Sequence, residues 1–154
     1  MAFQRTQNVT VLAASGAALT HTGDTNKTTK ATIPIPAGAM GLNGILRVTM
    51  HVTMTNNANA KTPFVDLGAT SFCGPAYTST ASARFQAQIS NKNSAASQSS
   101  YTAGNTVSWG GAGGASVSGT ENTATALNLT LGVTLANGTD SFVIESYLVE
   151  LILP

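Results

Sequence analysis

The chain has 154 residues, a length that fits one domain with one hydrophobic core. Only 8% of the residues are charged and the formal net charge is +1, so the sequence excludes a basic stripe for nucleic-acid phosphates. A weakly charged surface rich in Thr, Ser and Asn indicates either packing against another protein or a monomer solvated by neutral polar groups.

Alternation of apolar and polar residues with a period of two predicts the strands. In the clearest, Leu46–Met54, the even-numbered residues are predicted to line a core, whereas Thr49, His51 and Thr53 are not. Seven or eight strands are predicted in all, at Asn8–Ala13, Lys30–Ile35, Leu46–Met54, Pro63–Leu67, Ala83–Ser90, Thr102–Trp109, Leu127–Leu135 and Phe142–Leu153.

The two last strands are separated by Ala136–Asp140, where Asn137 and Gly138 tolerate the positive φ of a tight turn, so a β-hairpin is predicted there. The last strand is apolar on both faces. Such a strand is predicted to be central in a sheet, or to have one face that meets another subunit. Simple alternation assigns Phe142, Ile144 and Leu148 to one face, and Val143, Tyr147, Val149 and Leu151 to the other.

Long strands joined by irregular loops, with no helical periodicity beyond two turns, predict an all-β fold. The expected architecture is a two-sheet antiparallel β-sandwich of the jelly-roll type. An immunoglobulin-like sandwich is the alternative, weakened by the absence of that fold's Cys and Trp core pattern.

Residues able to perform catalysis are few. His21 and His51 have no obvious partner in the sequence, and His51 lies on the Thr face of its strand. Glu145 and Glu150 are five residues apart, an odd spacing that is expected to place them on opposite faces of a strand. The glycine-rich run 110–114 lacks the Lys-Ser/Thr ending of a phosphate loop. The chain is therefore predicted not to be an enzyme.

Metal and cofactor sites are not predicted either. Cys73 is the single cysteine and is expected to be a small apolar residue after Phe72, although a reactive thiol or an intermolecular bridge stays open. Asp24, Asp66 and Asp140 are isolated in the sequence, whereas calcium needs clustered oxygen ligands.

Three aromatic residues near loops suggest a second kind of site. Trp109, Tyr101 and Tyr77 could stack on a sugar. Alternatively, Trp109 caps the core at the end of its strand.

Three stretches carry a resemblance to a known family. Ile33–Val48 contains a Pro-Ala-Gly loop leading to Asn-Gly-x-Leu-Arg, Thr55–Thr62 is an Asn-rich turn ending in Lys-Thr, and Glu145–Leu151 reads Glu-x-Tyr-x-Val-Glu-Leu. Over residues 30–154 the chain resembles small virion proteins of tailed bacteriophages. After Lys61-Thr62 the family leads us to expect a basic residue, and this chain has Phe64-Val65-Asp66 instead.

The resemblance implies a jelly-roll capsid cement or decoration protein that binds the outer capsid surface. It implies the major capsid protein as partner, a homo-oligomer with a trimer favoured over a dimer, and location on the virion after assembly in the bacterial cytoplasm. It supplies no catalytic residues. The alternative is a receptor-binding or fibre-tip module that recognises a host-surface glycan. An enzyme acting on surface polysaccharide is disfavoured, because the sequence has no pair of acidic residues at a spacing suited to catalysis.

The resemblance also divides the chain. One domain overall is expected, with residues 1–29 as an N-terminal arm with the first strands and residues 30–154 as the jelly-roll core. In the segment 1–7, Phe3 and Arg5 are predicted to contact the capsid or a neighbouring copy, with a frayed tail as the alternative. Neither a signal peptide nor a membrane span is expected.

Overall fold

The computed structural model describes residues 8–101 and 115–154, and these form eleven β-strands and no helix. Seven predicted strands are confirmed, as β1, β3, β4, β5, β7, β10 and β11, while the predicted strand Thr102–Trp109 lies outside the described residues. The short strands β2, β6, β8 and β9 have three or four residues, too few to show a period. The bounds are β1 (Val9–Ser15), β2 (Leu19–His21), β3 (Thr28–Ile35), β4 (Ile45–Met54), β5 (Lys61–Leu67), β6 (Thr70–Cys73), β7 (Ser82–Asn91), β8 (Gln98–Ser100), β9 (Val117–Gly119), β10 (Leu127–Leu135) and β11 (Phe142–Ile152).

The strands form two antiparallel sheets that pack face to face. The seven-stranded sheet has the order β1-β11-β4-β7-β8-β9, with β2 also paired to β11, and the four-stranded sheet has the order β3-β10-β5-β6. The pairing is nested, because β1 pairs with β11, β3 with β10, β4 with β7 and β5 with β6. This nested connectivity, with the first long strand beside the last, is that of a jelly roll. The predicted jelly-roll sandwich is confirmed.

The core lies between the two sheets. The even-numbered side chains of β4 are buried in it, whereas His51 is exposed and Thr49 and Thr53 are half-buried on the opposite face, as predicted. From the facing sheet, β10 contributes alternate residues from Leu129 to Leu135, while Leu127 is only half-buried. Burying each such side chain stabilises the fold by about 1.5–3 kcal/mol.

The last strand, β11, is central, as predicted, with β4 on one side and β1 and β2 on the other. The predicted division of its faces is wrong beyond Ile144. A bulge between Ile144 and Ser146 adds one residue to β11, so the residues after it change face. Val149 is consequently buried in the core, while Leu148 is half-buried on the opposite face.

The predicted hairpin at Ala136–Asp140 is also wrong. β10 pairs with β3 and β5 in the four-stranded sheet, whereas β11 belongs to the other sheet, so this segment carries the chain between sheets. Asn137 Oδ1 accepts a hydrogen bond from the Thr139 N–H at 3.0 Å, but neither Asn137 nor Gly138 has the positive φ considered for this turn. Such a turn reverses the chain tightly without deciding which strands pair.

The first strands belong to the sandwich. β1 and β2, within the predicted arm of residues 1–29, both pair with the final strand. In the parts of the chain that the structure describes, no helix has the length and apolar character to cross a membrane.

Candidate functional site

The largest continuous surface built by regular structure is the outer face of the seven-stranded sheet, the face turned away from the four-stranded sheet. Its side chains come from alternate residues of neighbouring strands, which the register places side by side. Three apolar side chains of β11, Val143, Leu148 and Ile152, are half-buried there. Among the described residues, no other strand covers this face.

Charged side chains on this outer face are partly paired within the sheet, while Arg84, opposite His51, is exposed to solvent. Arg47 Nε donates to Glu150 Oε2 at 2.8 Å, and this hydrogen bond lowers the pKa of Glu150 and raises the pKa of Arg47. Thr53 Oγ1 donates to Glu145 Oε1 at 2.6 Å, and Gln86 Nε2 donates to Thr49 at 3.2 Å. The face therefore carries one internal ion pair, between Arg47 and Glu150, and the exposed guanidinium of Arg84.

The two glutamates lie on one face, contrary to the parity prediction, because the bulge in β11 falls at Glu145. Glu145 contacts Thr53 and Glu150 contacts Arg47, six residues apart along β4. At about 3.3 Å per residue the separation is roughly 20 Å. A glycosidase needs its carboxylates roughly 5–10 Å apart, so the pair does not form that site.

The four-stranded sheet has a small ordered cluster on its own outer face. The ring of Phe64 lies over Gly132, where an added Cβ would be only 2.5 Å from the ring. Lys27 Nζ lies 4.4 Å from the centre of the Phe64 ring and 2.5 Å from Asp66 Oδ2. Lys27, in the segment before β3, thus places a basic group against Phe64 and Asp66.

A buried lysine at the end of the Asn-rich turn was not anticipated from the sequence. Lys61 is completely buried, and its Nζ donates to the side-chain oxygen of Asn57 and to the carbonyl of Asn59 at 2.8 Å. Asp140 lies 3.7 Å away and accepts a 2.7 Å hydrogen bond from Asn57. The Asn-rich turn that ends in Lys-Thr therefore has a structural role, because it supplies the hydrogen-bond acceptors of the buried Lys61 ammonium group.

A second buried polar cluster joins the β7–β8 turn to the segment before β10. Gln98 Nε2 donates to Asn91 Oδ1 at 3.0 Å, and Asn91 Nδ2 donates to Thr123 Oγ1 at 2.8 Å and to the Gly41 carbonyl at 2.7 Å. Amide side chains can bond in two directions at once. The cluster connects three loops, and within the described residues the buried Gln98 Oε1 accepts no hydrogen bond.

Two of the three aromatic residues suggested for glycan stacking, Tyr77 and Tyr101, lie in the described part of the chain. Tyr77 is only 6% exposed and its ring packs 6.3 Å from Phe85, so it offers no face to a sugar, and this part of the prediction is wrong. Tyr101 is exposed, while Trp109 lies outside the described residues. A surface pocket of about 470 Å³ lies beside Tyr77, lined by Ala76, Tyr77, Thr78, Thr80, Ser82 and Ala83.

The proposed capsid contacts Phe3 and Arg5 lie outside the described residues. The segment they belong to precedes β1, whose neighbour Asn8 accepts a 2.7 Å hydrogen bond from the Leu153 N–H. Those contacts stay predictions.

The cysteine and the two histidines lie at separate places in the fold. Cys73 is buried, as expected of a small apolar residue, and burial raises the pKa of its thiol to about 12. His51 is exposed on the outer face, whereas His21 is buried with its Nε2 3.7 Å from Asp24. Across residues 8–101 and 115–154, no group of three His, Cys, Asp or Glu side chains is arranged to hold a metal ion.

Comparison with known proteins finds neither a protein-family model nor a curated protein that matches this chain.

Proposed function

We propose that the chain is a structural protein of a bacteriophage virion, a cement or decoration protein that binds the outer surface of the capsid. The observation that carries the proposal is the outer face of the seven-stranded sheet. It is broad, Arg47 and Glu150 form an ion pair on it, and its central strand presents half-buried apolar side chains. These are properties of a surface that packs against another protein.

The low charge of the chain supports the same proposal. With 8% charged residues, few ions must lose water when the protein packs against a neighbour, and such desolvation is costly. The jelly roll provides a rigid support for the face, because the two sheets share one continuous core.

The mechanism is mechanical. Each copy bridges neighbouring capsid subunits, and the area buried by the bridge opposes their separation under the pressure of packaged DNA. A standard interface buries about 1,600 Å². Repetition over a shell makes even weak contacts effective through avidity. The partner is the major capsid protein.

The decisive experiment uses virions of the phage whose genome encodes the chain. Particles assembled without the protein are expected to lose DNA at a lower temperature, and adding the purified protein is expected to restore their resistance. Absence of the chain from purified virions would refute the proposal. Glycan binding by the pure protein, with no effect on particles, would favour the fibre-tip alternative.

Matched variants test which face docks. His51→Glu places a carboxylate on the outer face of the seven-stranded sheet, and Thr32→Glu places one on an exposed position of the other sheet. Both substitutions are at exposed positions, so both variants are expected to fold. Binding to particles should fall for His51→Glu and not for Thr32→Glu, and the reverse result would assign docking to the four-stranded sheet.

A further inference from the structure

The edges of the two sheets differ in how they are protected against pairing with another chain. The edge strand β3 carries Lys30 and Pro34, and the edge strands β6 and β9 have only four and three residues. Charges, proline and short length are the usual protections of an exposed edge. β1 has seven residues with no charge and no proline. Among the described strands it is the long edge with neither a charge nor a proline, and its one interruption is the bulge between Val11 and Ala13.

The backbone of β1 offers hydrogen-bonding groups to a partner. The Leu153 N–H donates to the Asn8 carbonyl at 2.7 Å, and hydrogen-bonded pairs alternate along an antiparallel ladder. The backbone N–H and C=O groups of Thr10 therefore point toward β11. Those of Val9 and Val11 point away from β11. Among the described strands, none pairs with that side of β1.

Exposed apolar side chains are concentrated at the same edge. Val9 is 45% exposed and Val11 is 57% exposed, and the register places both side chains on the outer face of the seven-stranded sheet. They are two of the five large apolar side chains that the described residues expose. Clustering of this kind marks a contact surface, whereas scattered apolar residues do not.

We propose that β1 pairs antiparallel with β1 of a second copy, around a two-fold axis at Thr10. In this register Val9 of each copy lies opposite Val11 of the other, so the outward N–H and C=O groups of both residues are satisfied. The two valines also become cross-strand neighbours, a favourable β-branched pair. The bulge between Val11 and Ala13 limits the ladder to the residues before it.

The occupant is a second copy because the strand is self-complementary. β1 carries no charge, so bringing two copies together juxtaposes no like charges. A two-fold contact of this kind is isologous and closes as a dimer. A ladder of about three residues buries much less than the roughly 800 Å² per partner of a standard interface, so the dimer is expected at high protein concentration, and on a particle through avidity.

Cysteine cross-linking tests the register in the full chain. Thr10→Cys places two thiols at a directly opposed pair, where the Cα atoms are about 4.5 Å apart and a disulfide can form. The control Ala14→Cys places an equally accessible thiol on the same strand, with its counterpart roughly 26 Å away in this register. Under mild oxidation, Thr10→Cys is expected to form the dimer faster by on the order of tenfold or more. Equal rates would overturn the proposal.

Sedimentation of the protein without added cysteines tests the association itself. Val11→Lys introduces an edge charge and is expected to abolish the concentration-dependent dimer. Leu42→Lys is the matched control, since Leu42 is 55% exposed and lies outside the strands. A monomeric native protein at high concentration, or equal loss of the dimer in both variants, would overturn the proposal. Neither measurement uses virions, so failure here is separate from failure of the proposed capsid role.

Discussion

At the scale of single residues, the buried Lys61 is the side chain whose environment is most demanding. An ammonium without water is stable only when it is paired and hydrogen-bonded. The partners come from two segments, the Asn-rich turn before β5 and Asp140 before β11. The cluster thereby ties a loop of one sheet to the entry of the central strand of the other.

Replacement of Lys61 is expected to destabilise the protein strongly. Lys61→Met keeps much of the buried volume and removes the charge, leaving the Asn59 carbonyl and a carboxylate without their cation. The expected loss in the free energy of unfolding is about 3–5 kcal/mol, measured by urea denaturation. Lys92→Met, at an exposed lysine, is the control and should cost under about 0.5 kcal/mol. Equal losses would show that the buried pairing is unimportant.

The same cluster predicts how stability depends on pH. Burial raises the pKa of Asp140, but hydrogen bonds from Asn57 and Asn59 and the nearby Lys61 outweigh burial and hold the pKa below its usual value of 3.8. A carboxyl with a lowered pKa in the folded state binds its proton more readily when unfolded. Its contribution is therefore present above the usual pKa and is lost as the pH falls through the folded-state pKa.

Unfolding by urea at several pH values checks this prediction. The free energy of unfolding should be nearly level above about pH 5 and should fall toward pH 3. Asp140→Asn should show a shallower fall. Glu150, whose pKa is lowered by its hydrogen bond from Arg47, contributes in the same direction, so the variant should keep part of the slope. An unchanged slope in Asp140→Asn would contradict the assignment.

At the scale of elements, β10 shows that one strand has two different faces. Leu129 is fully buried between the sheets, whereas Thr130 is half-buried on the outer face, opposite Thr32 and Asp66. Substitutions on the two faces of β10 therefore remove different kinds of contact.

Two substitutions on β10 should differ widely in cost. Leu129→Ala leaves a cavity in the core and should lower the free energy of unfolding by about 2–5 kcal/mol. Thr130→Ala removes a hydroxyl and a methyl group from the outer face and should cost under about 0.5 kcal/mol. Urea denaturation of both variants measures the difference, and similar costs would contradict the assignment of faces.

The two strands on either side of Ala136–Asp140 show that the sequence of a strand does not determine which strands it pairs with. Both β10 and β11 are recognised from their sequences, and a turn with a hydrogen bond from the Thr139 N–H to Asn137 Oδ1 lies between them. Their partners are chosen by the whole sandwich, since β11 fits between β1 and β4 while β10 fits between β3 and β5. Nested pairing of this kind joins segments far apart in the chain.

At the scale of the whole molecule, the N-terminal segment can be separated from the sandwich by experiment. Deletion of residues 1–7 leaves β1 and its pairing with β11 intact, since β1 begins at Val9. The truncated chain is expected to fold and to bind particles less well, because Phe3 and Arg5 are the proposed capsid contacts. The measurement is the number of copies that sediment with particles lacking the protein.

The control for the deletion is the double substitution Phe3→Ala and Arg5→Ala in the full chain. It should reduce the number of bound copies to a similar extent, because it removes the same proposed contacts. Full occupancy with the truncated chain would remove the N-terminal anchor from the proposal. Loss of folding would instead show that the segment belongs to the sandwich.

The sequence by itself determined the all-β class, seven of the described strands and the inward side of β4, because a strand repeats every two residues and one buried face enforces that pattern. It also indicated the central position of β11, whose residues are apolar on both faces.

The tertiary structure alone decided the features that depend on distant partners. The bulge at Glu145 moves Glu145 and Glu150 to one face, and no local pattern announces one extra residue. Lys61 belongs to a residue type that is rarely fully buried, and here it is buried because Asn57 and Asp140 provide its polar partners. Tyr77 is buried by packing against Phe85, which only the tertiary structure shows. The shared core determines which strands pair when they are far apart in the chain. The sequence of a single strand therefore does not predict its partner.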